Sequence, residues 1–376
     1  MTTNSKSILL IIMLIISVSL FSCTAISQND ISFKFGELNY TIEQIEFSFL
    51  DMDNVGYISV LDIIDDMILL KAAHQYGLTM FLYDMSEEKV IAKVSEQDII
   101  ILSAVIFNDL IIYTGVDMLY GWGPRSRLYT VKSYDIVTGY QTIICTFFGP
   151  RPPGEPRLRR IEGGYLIMYV DWPLGKYVEF ISYNQERQVL YSNNYERLEL
   201  FSTWDSHVFD NKFVFIEPYQ GNSYFFIGNT NGEYQRLPIP KHFIKHFDNF
   251  SILAQGIITS HVCPDNIPYL EFMSFDSQKT ARLDGFRTFR KATNGNAILG
   301  VVDRGAEGRM YYLTAPLLIT YTDEGLYAHI IDFHEVGNNT QFVAVDDNTW
   351  LIVLTHRIMS YQGLYQDIGV FRLRIL

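Results

Sequence analysis

Met80-Phe-Leu-Tyr-Asp84, followed across a polar turn by Val90-Ile-Ala-Lys-Val94, is a strand–turn–strand unit that recurs along the chain. It returns as Tyr134-Asp135 before Tyr140-Gln-Thr-Ile-Ile144, and as Phe180-Ile-Ser-Tyr-Asn184 before Gln188-Val-Leu-Tyr191. Phe225-Phe-Ile-Gly-Asn229, Phe272-Met-Ser-Phe-Asp276, Leu318-Ile-Thr-Tyr-Thr322 and Gly369-Val-Phe-Arg-Leu373 continue the series. Short apolar runs rich in aromatic and β-branched residues, bounded by turn residues, read as strands. The repeats fall about 45–50 residues apart, the length of one four-stranded propeller blade. A further aliphatic strand precedes most of them, as in Met67-Ile-Leu-Leu70, Leu110-Ile-Ile-Tyr113, Tyr165-Leu-Ile-Met-Tyr169 and Trp350-Leu-Ile-Val353.

The spacing therefore predicts an all-β propeller of seven blades in a single domain, residues 32–376. Radial repetition leaves only short, protected sheet edges, which is the physical gain of closure. The last repeat lacks a following strand because the chain stops at Leu376, so residues 32–49 are expected to supply it. Composition agrees: 48% of residues are hydrophobic and 15% aromatic, with 25 Tyr and 26 Phe, types enriched in strands. Two packed sandwich domains are the alternative, and the even spacing counts against them.

The first 22 residues have a different character. Lys6 precedes an apolar run from Ile8 to Phe21, and the segment ends Leu20-Phe21-Ser22-Cys23. A basic residue, a short apolar core and a small residue form the pattern of a secretory signal. The run is shorter than the roughly 20 residues a spanning helix needs. Its end resembles the bacterial lipobox, which implies a diacylglyceryl thioether on Cys23 and cleavage before it. Residues 23–31 would then be a lipidated tether, with several acyl chains holding the protein at a membrane. The expected location is the bacterial cell envelope, the outer membrane first, with the domain in the periplasm or at the cell surface.

Ile45-Glu-Phe-Ser-Phe-Leu-Asp51, continuing through Val60-Leu-Asp-Ile-Ile-Asp-Asp-Met-Ile-Leu-Leu70 to Phe81-Leu-Tyr-Asp84, resembles the opening of the TolB-like, six-bladed β-propeller lipoproteins of Bacteroidota. The resemblance covers some 60 residues. It implies six blades where the spacing gives seven, and it brings no catalytic residues.

A formal charge of −13 argues against nucleic acid, which selects basic surfaces. Asp51-Met-Asp53-Asn-Val-Gly56 through Asp62 imitates a calcium loop, but Val55 and Asp62 stand where an oxygen-bearing side chain and a glutamate are needed. A plain strand connection is the expectation there. His242 and His246 have the i, i+4 spacing of zinc ligands, yet the glutamate of a His-Glu-x-x-His motif is missing, and Pro238 and Pro240 place them in a loop. No metal or other cofactor is expected. Cys145 and Cys263 fall in repeats that are not neighbours and are expected to be free thiols.

No Gly-x-Ser-x-Gly elbow or P-loop occurs. What stands out is Trp and Arg in long turns: Trp122, Arg125 and Arg127; Arg151 within residues 149–160; Trp172; and Trp204. Trp and Arg are enriched where partners bind, and aromatic faces stack on sugar rings. The leading expectation is a binding or scaffold propeller for an envelope protein or glycan, engaged through these residues. A hydrolase or lyase acting on polysaccharide or peptide, with Asp, Glu and His gathered at the channel mouth, is the alternative.

Overall fold

The computed structural model describes residues 32–376 except 51–54, 75–76, 97–98, 118–126, 150–154, 172–174, 194–205, 220–221, 240–246, 263–267, 277–278, 285, 304–314, 323–324, 334–339, 356–357, 360–364 and 367. It is a seven-bladed β-propeller. Blade one is Val55–Ile64, Met67–His74, Gly77–Asp84 and Lys89–Glu96, from the inside outward. Blade two is Ile99–Phe107, Leu110–Asp117, Arg127–Asp135 and Gln141–Gly149. Blade three follows with Arg157–Ile161, Gly164–Asp171, Gly175–Ser182 and Arg187–Asn193. Blade four contains His207–Phe209, Lys212–Tyr219, Asn222–Asn229 and Tyr234–Pro238. Phe247–Leu253, Gly256–Val262, Pro268–Ser274 and Thr280–Asp284 make blade five. Blade six is Arg287–Thr293, Ala297–Asp303, Ala315–Thr322 and Gly325–Ile330. The last blade takes Thr340–Ala344, Thr349–Leu354 and Gly369–Ile375 from the C-terminal end and Tyr40–Ile45 from the N-terminal end.

Every recurrent unit found in the sequence lies at the third strand of a blade. The six blades implied by the family resemblance are thus corrected to seven, because each interval of about 45–51 residues holds one complete sheet. The expected closure is also present, with Tyr40 opposite Ile375 and Ile45 opposite Val370 in antiparallel register. Phe33–Phe35 does something else: it adds a fifth, parallel strand to the outside of blade six, Phe33 opposite Leu326. Beyond Ile45 the chain leaves the sheet and Phe47 and Leu50 enter the core. There Phe47 meets Tyr83 edge-on at 5.3 Å between ring centroids.

Each blade is buried on both faces, which is why second strands read as unbroken aliphatic runs. Ile68 and Leu70 pack into the core between blades seven and one, whereas Leu69 between them points into the core between one and two. Trp350 and Ile352 likewise face blade six while Leu351 and Val353 face blade one.

The inner strands are joined by polar contacts at their bulges. Val60 N donates to Gln341 Oε1 at 3.0 Å, and Gln341 Nε2 donates back to Val60 O, tying blade seven to blade one at the register break after Val60. Ile106 N donates to Asp62 Oδ2 at 2.8 Å, linking blades one and two. Leu158 N donates to Ser103 Oγ at 2.9 Å, linking two and three. Residues 55–62 of the calcium-loop lookalike are thus an inner strand, and Asp62 serves a blade joint; Asp51 and Asp53 lie outside the described residues.

Replacing Gln341 with Leu leaves the buried Val60 amide without its acceptor at the seam where the ring closes. A loss of about 1–3 kcal/mol is expected, read as a lower urea midpoint with unchanged slope.

Candidate functional site: a cleft between blades two and three

Strand direction sorts the connections to two ends of the propeller. Asp117, Arg127, Gly149, Asp171 and Gly175 end or begin strands at one end, as the pairings Arg127 with Gly149 and Asp171 with Gly175 require. These strand ends flank the segments that carry Trp122, Arg125, Arg151 and Trp172, which lie outside the described residues, as do Trp204, His242, His246 and Cys23. Arg127, the described member of the set, opens the third strand of blade two. One correction follows: residues 149–160 are not all turn, because Arg157–Ile161 is the inner strand of blade three.

The opposite end holds a cleft of about 830 Å³ between blades two and three. Its floor is apolar, formed by Phe107, Leu110, Ile112, Tyr165 and Ile181. Phe107 meets Tyr165 edge-on at 4.9 Å and stacks under Tyr183 at 5.2 Å with the rings nearly parallel. Polar groups stand at the rim: Asp135, Thr138, Gln185 and Arg187. Asp135 accepts from Val137 N at 3.0 Å and Thr138 N at 2.7 Å. Those bonds hold its carboxyl below the usual carboxylate range, so it is committed to its turn.

Over the cleft hangs the outer strand of blade two, Gln141-Thr-Ile-Ile-Cys-Thr-Phe-Phe-Gly149. Tyr140, Ile143, Phe148 and Ile144 are exposed on or beside it at 72, 60, 55 and 40%. At its far end Gly149 runs so close to blade three that a Cβ there would sit 2.9 Å from Val170 O. A larger residue would force the blades apart at this point. Toward Tyr140 the blades splay, and the cleft opens. Cys145 on this strand is a half-buried free thiol; burial pushes its pKa up, which keeps it protonated and weakly nucleophilic.

Behind the cleft the wall is braced by buried carboxylates. Glu179, 4% exposed, accepts from Tyr169 Oη at 2.8 Å and from Arg187 Nε at 2.5 Å. The arrangement recurs at Glu217, which takes Tyr191 and Arg236, and at Glu96, which takes Tyr113 and Lys132. In each case a phenol and a cation satisfy the carboxylate, and burial with the adjacent negative charge pushes Tyr113 and Tyr169 well above the usual phenol range. These groups are structural braces, two of them joining neighbouring blades. Glu271 of blade five differs. Its neighbour Arg282 bonds Asp284 at 2.7 Å, and burial pushes the Glu271 carboxyl up to about 7 against the pull of Arg282. His261 is buried on Tyr269 at 4.6 Å with Nε2 2.7 Å from Thr259 Oγ1. Among the described residues no three His, Cys, Asp or Glu side chains gather as a metal site.

These carboxylate braces left no sequence signal, since the members of each come from three strands and pair only in the fold. The cleft did leave one: an outer strand of nine residues without a charge.

No protein-family model matches the chain, and no curated protein matches it. Solved structures do. A chain of an S. cerevisiae assembly of a Dbp5 variant bound to Nup159, a Gle1 variant, IP6 and ADP is similar at 9% identity and a TM-score of 0.50, covering 92% of this chain and 98% of that one. The β-propeller domain of the Trilobed protease from Pyrococcus furiosus is similar at 10% identity and a TM-score of 0.49, covering 85% and 93%. At such identities the likeness shows the fold alone, and the strand order given above carries it independently.

Glu271 supplies a pH prediction. Between the ordinary carboxylate value and about 7 the folded chain holds a proton that the unfolded chain has released, so this group's stabilising share is full at acid pH and is lost as pH rises through 7. Glu271→Gln should flatten that limb of the urea-midpoint profile between pH 4.5 and 7.5.

Proposed function

We propose that the chain is an exported binding propeller, held at a membrane by lipid on Cys23, which takes up an extended apolar segment of an envelope protein along the outer edge of blade two. One comparison within the molecule carries this reading. Free outer strands invite pairing, and charge is a common protection against it. Lys89, Lys93 and Glu96 protect blade one, Arg187 blade three, Arg236 blade four, Arg282 and Asp284 blade five, and Glu43 blade seven. Two outer strands carry no Lys, Arg, Asp or Glu: Gln141–Gly149 of blade two and Gly325–Ile330 of blade six. Blade six is covered by the chain's own Phe33–Phe35. Gln141–Gly149 is the outermost strand of blade two, and among the described residues nothing pairs with its free edge.

Strand addition supplies main-chain hydrogen bonds for affinity, while pockets for alternate side chains supply specificity. The apolar cleft beside Tyr140 and Ile144 provides such a pocket. A strand edge favours a polypeptide over a glycan, since a glycan cannot continue the ladder of amide hydrogen bonds. Export and lipidation rest on residues 1–23 alone; among the described residues no helix is long and apolar enough to cross a membrane.

Two experiments test the reading. A photoreactive amino acid at Thr142 of the full chain, activated in intact cells, should crosslink to one contiguous apolar segment of a protein, mapped by mass spectrometry. Ile143→Lys, an exposed change, should remove the crosslink; persistence of the crosslink in that variant, or label recovered on glycan, would overturn the assignment. Separately, Cys23→Ser should move a folded protein from the membrane fraction to the soluble fraction, and retention in the membrane would defeat the anchor.

A further inference from the structure

Arg160 belongs to blade three, yet its guanidinium donates to Ile63 O of blade one and lies 3.7 Å from Asp62 Oδ1. A side chain of the third blade reaches the first only by passing in front of the second, inside the central channel. Other cations line the same channel further along blade two's inner strand. Lys71 Nζ of blade one donates to Ile101 O at 3.2 Å, and Arg157 of blade three donates to Leu102 O at 3.3 Å. Those two carbonyls are consecutive, at the bulge of blade two's inner strand. Lys71 also lies over the Tyr57 ring at 5.3 Å.

Among the described residues the cluster holds more cations than carboxylates. Lys71, Arg157, Arg159 and Arg160 face Asp62 and Glu155, with Arg157 3.9 Å from Glu155 and the charge of Arg127 also acting on Glu155. Arg159 donates to Leu158 O at 3.3 Å, and neither it nor Lys71 makes an ion pair among the described residues. The protein as a whole is strongly acidic, so this is a local reversal of sign. Burial pulls Lys71 down to about 8 and Arg159 down to about 10, and the Arg157 charge adds to both. Water still reaches the site, with Arg160 33% and Arg157 13% exposed along their side chains.

Cations crowded in a channel walled by protein focus a positive potential that draws an anion of matching charge. Guanidinium groups, with their planar donor forks, suit phosphate and carboxylate oxygens. Among the described residues the cations exceed the carboxylates by two, and their donors come from both blades one and three, which matches a tetrahedral dianion better than a single carboxylate. We propose that the central channel binds a phosphate group, as free phosphate or as a phosphomonoester, with Arg159 and Lys71 as its principal ligands and Arg157 beside them.

Calorimetric titration of the full chain at low ionic strength and pH 7 tests this with inorganic phosphate and with glycerol 3-phosphate. Saturable binding of either supports the site; tighter binding of the ester assigns it to an organic phosphate, and tighter binding of the inorganic ion to free phosphate. Arg159→Gln and Lys71→Met should each weaken the binding at least tenfold while circular dichroism stays that of the parent. Should Arg159→Gln fail to fold, Lys71→Met and the charge-preserving Arg159→Lys decide, the latter keeping part of the affinity. Binding equal to the parent's in these neutral variants, or a response no different from chloride at matched ionic strength, would overturn the proposal.

Discussion

Ring closure is the constraint on which the rest of this molecule depends. Seven sheets stacked around an axis give seven apolar interfaces, and each blade contributes one face to each of two of them. An open ring would expose two whole sheet faces, an apolar area far larger than the patches proteins ordinarily leave uncovered. The seam between blades seven and one therefore receives Tyr40–Ile45 as a last strand, the Phe47 and Leu50 side chains as filling, and the Gln341–Val60 bonds near the axis. The seam is thus built from strands far apart in sequence, Tyr40–Ile45 and Gly369–Ile375, so closing it joins the two ends of the propeller domain.

The repeat was legible in the sequence for a local reason. The third strands of blades one, two and four end in Asp or Asn because that side chain accepts the amides of the following turn. Asp84 takes Ser86 N and Glu87 N, Asp135 takes Val137 N and Thr138 N, and Asn229 takes Asn231 N and Glu233 N. Such turns are short-range chemistry, written in neighbouring residues. The closing strand was legible by counting, though its place within residues 32–49 was set by packing: Tyr40–Ile45 pairs, while the aromatic Phe33–Phe35 caps another blade.

The channel was not legible. Lys71, Arg157, Arg159 and Arg160 are separated by up to some ninety residues of chain, and on strands of alternating pattern a single charge reads as solvent-facing. Arg157–Arg160 also follow a proline-rich stretch, so they read as loop; the ladder Arg157–Met168 through Ile161–Gly164 makes them strand. Glu179 and Glu217 failed to announce themselves in the same way. A buried carboxylate is recognised by its partners, and those come from other strands. The two regions singled out by the structure differ in kind: the cleft is apolar and peripheral, the channel polar and axial, and they share only the scaffold of blades two and three.

The fifth strand of blade six has a mechanical consequence. Tension entering the domain from the N-terminal side meets Phe33–Phe35 first, a three-residue parallel strand held by few backbone bonds and by the packing of Phe35 on Phe286. Loss of this strand would cost Phe33 its packing on the core between blades five and six, but would leave the pairing of Tyr40–Ile45 at the seam intact. The six-residue antiparallel strand behind it, on which the ring relies, takes load only after that slack has been drawn out. The order of the two strands along the chain thus places the weaker attachment ahead of the seam that holds the propeller shut.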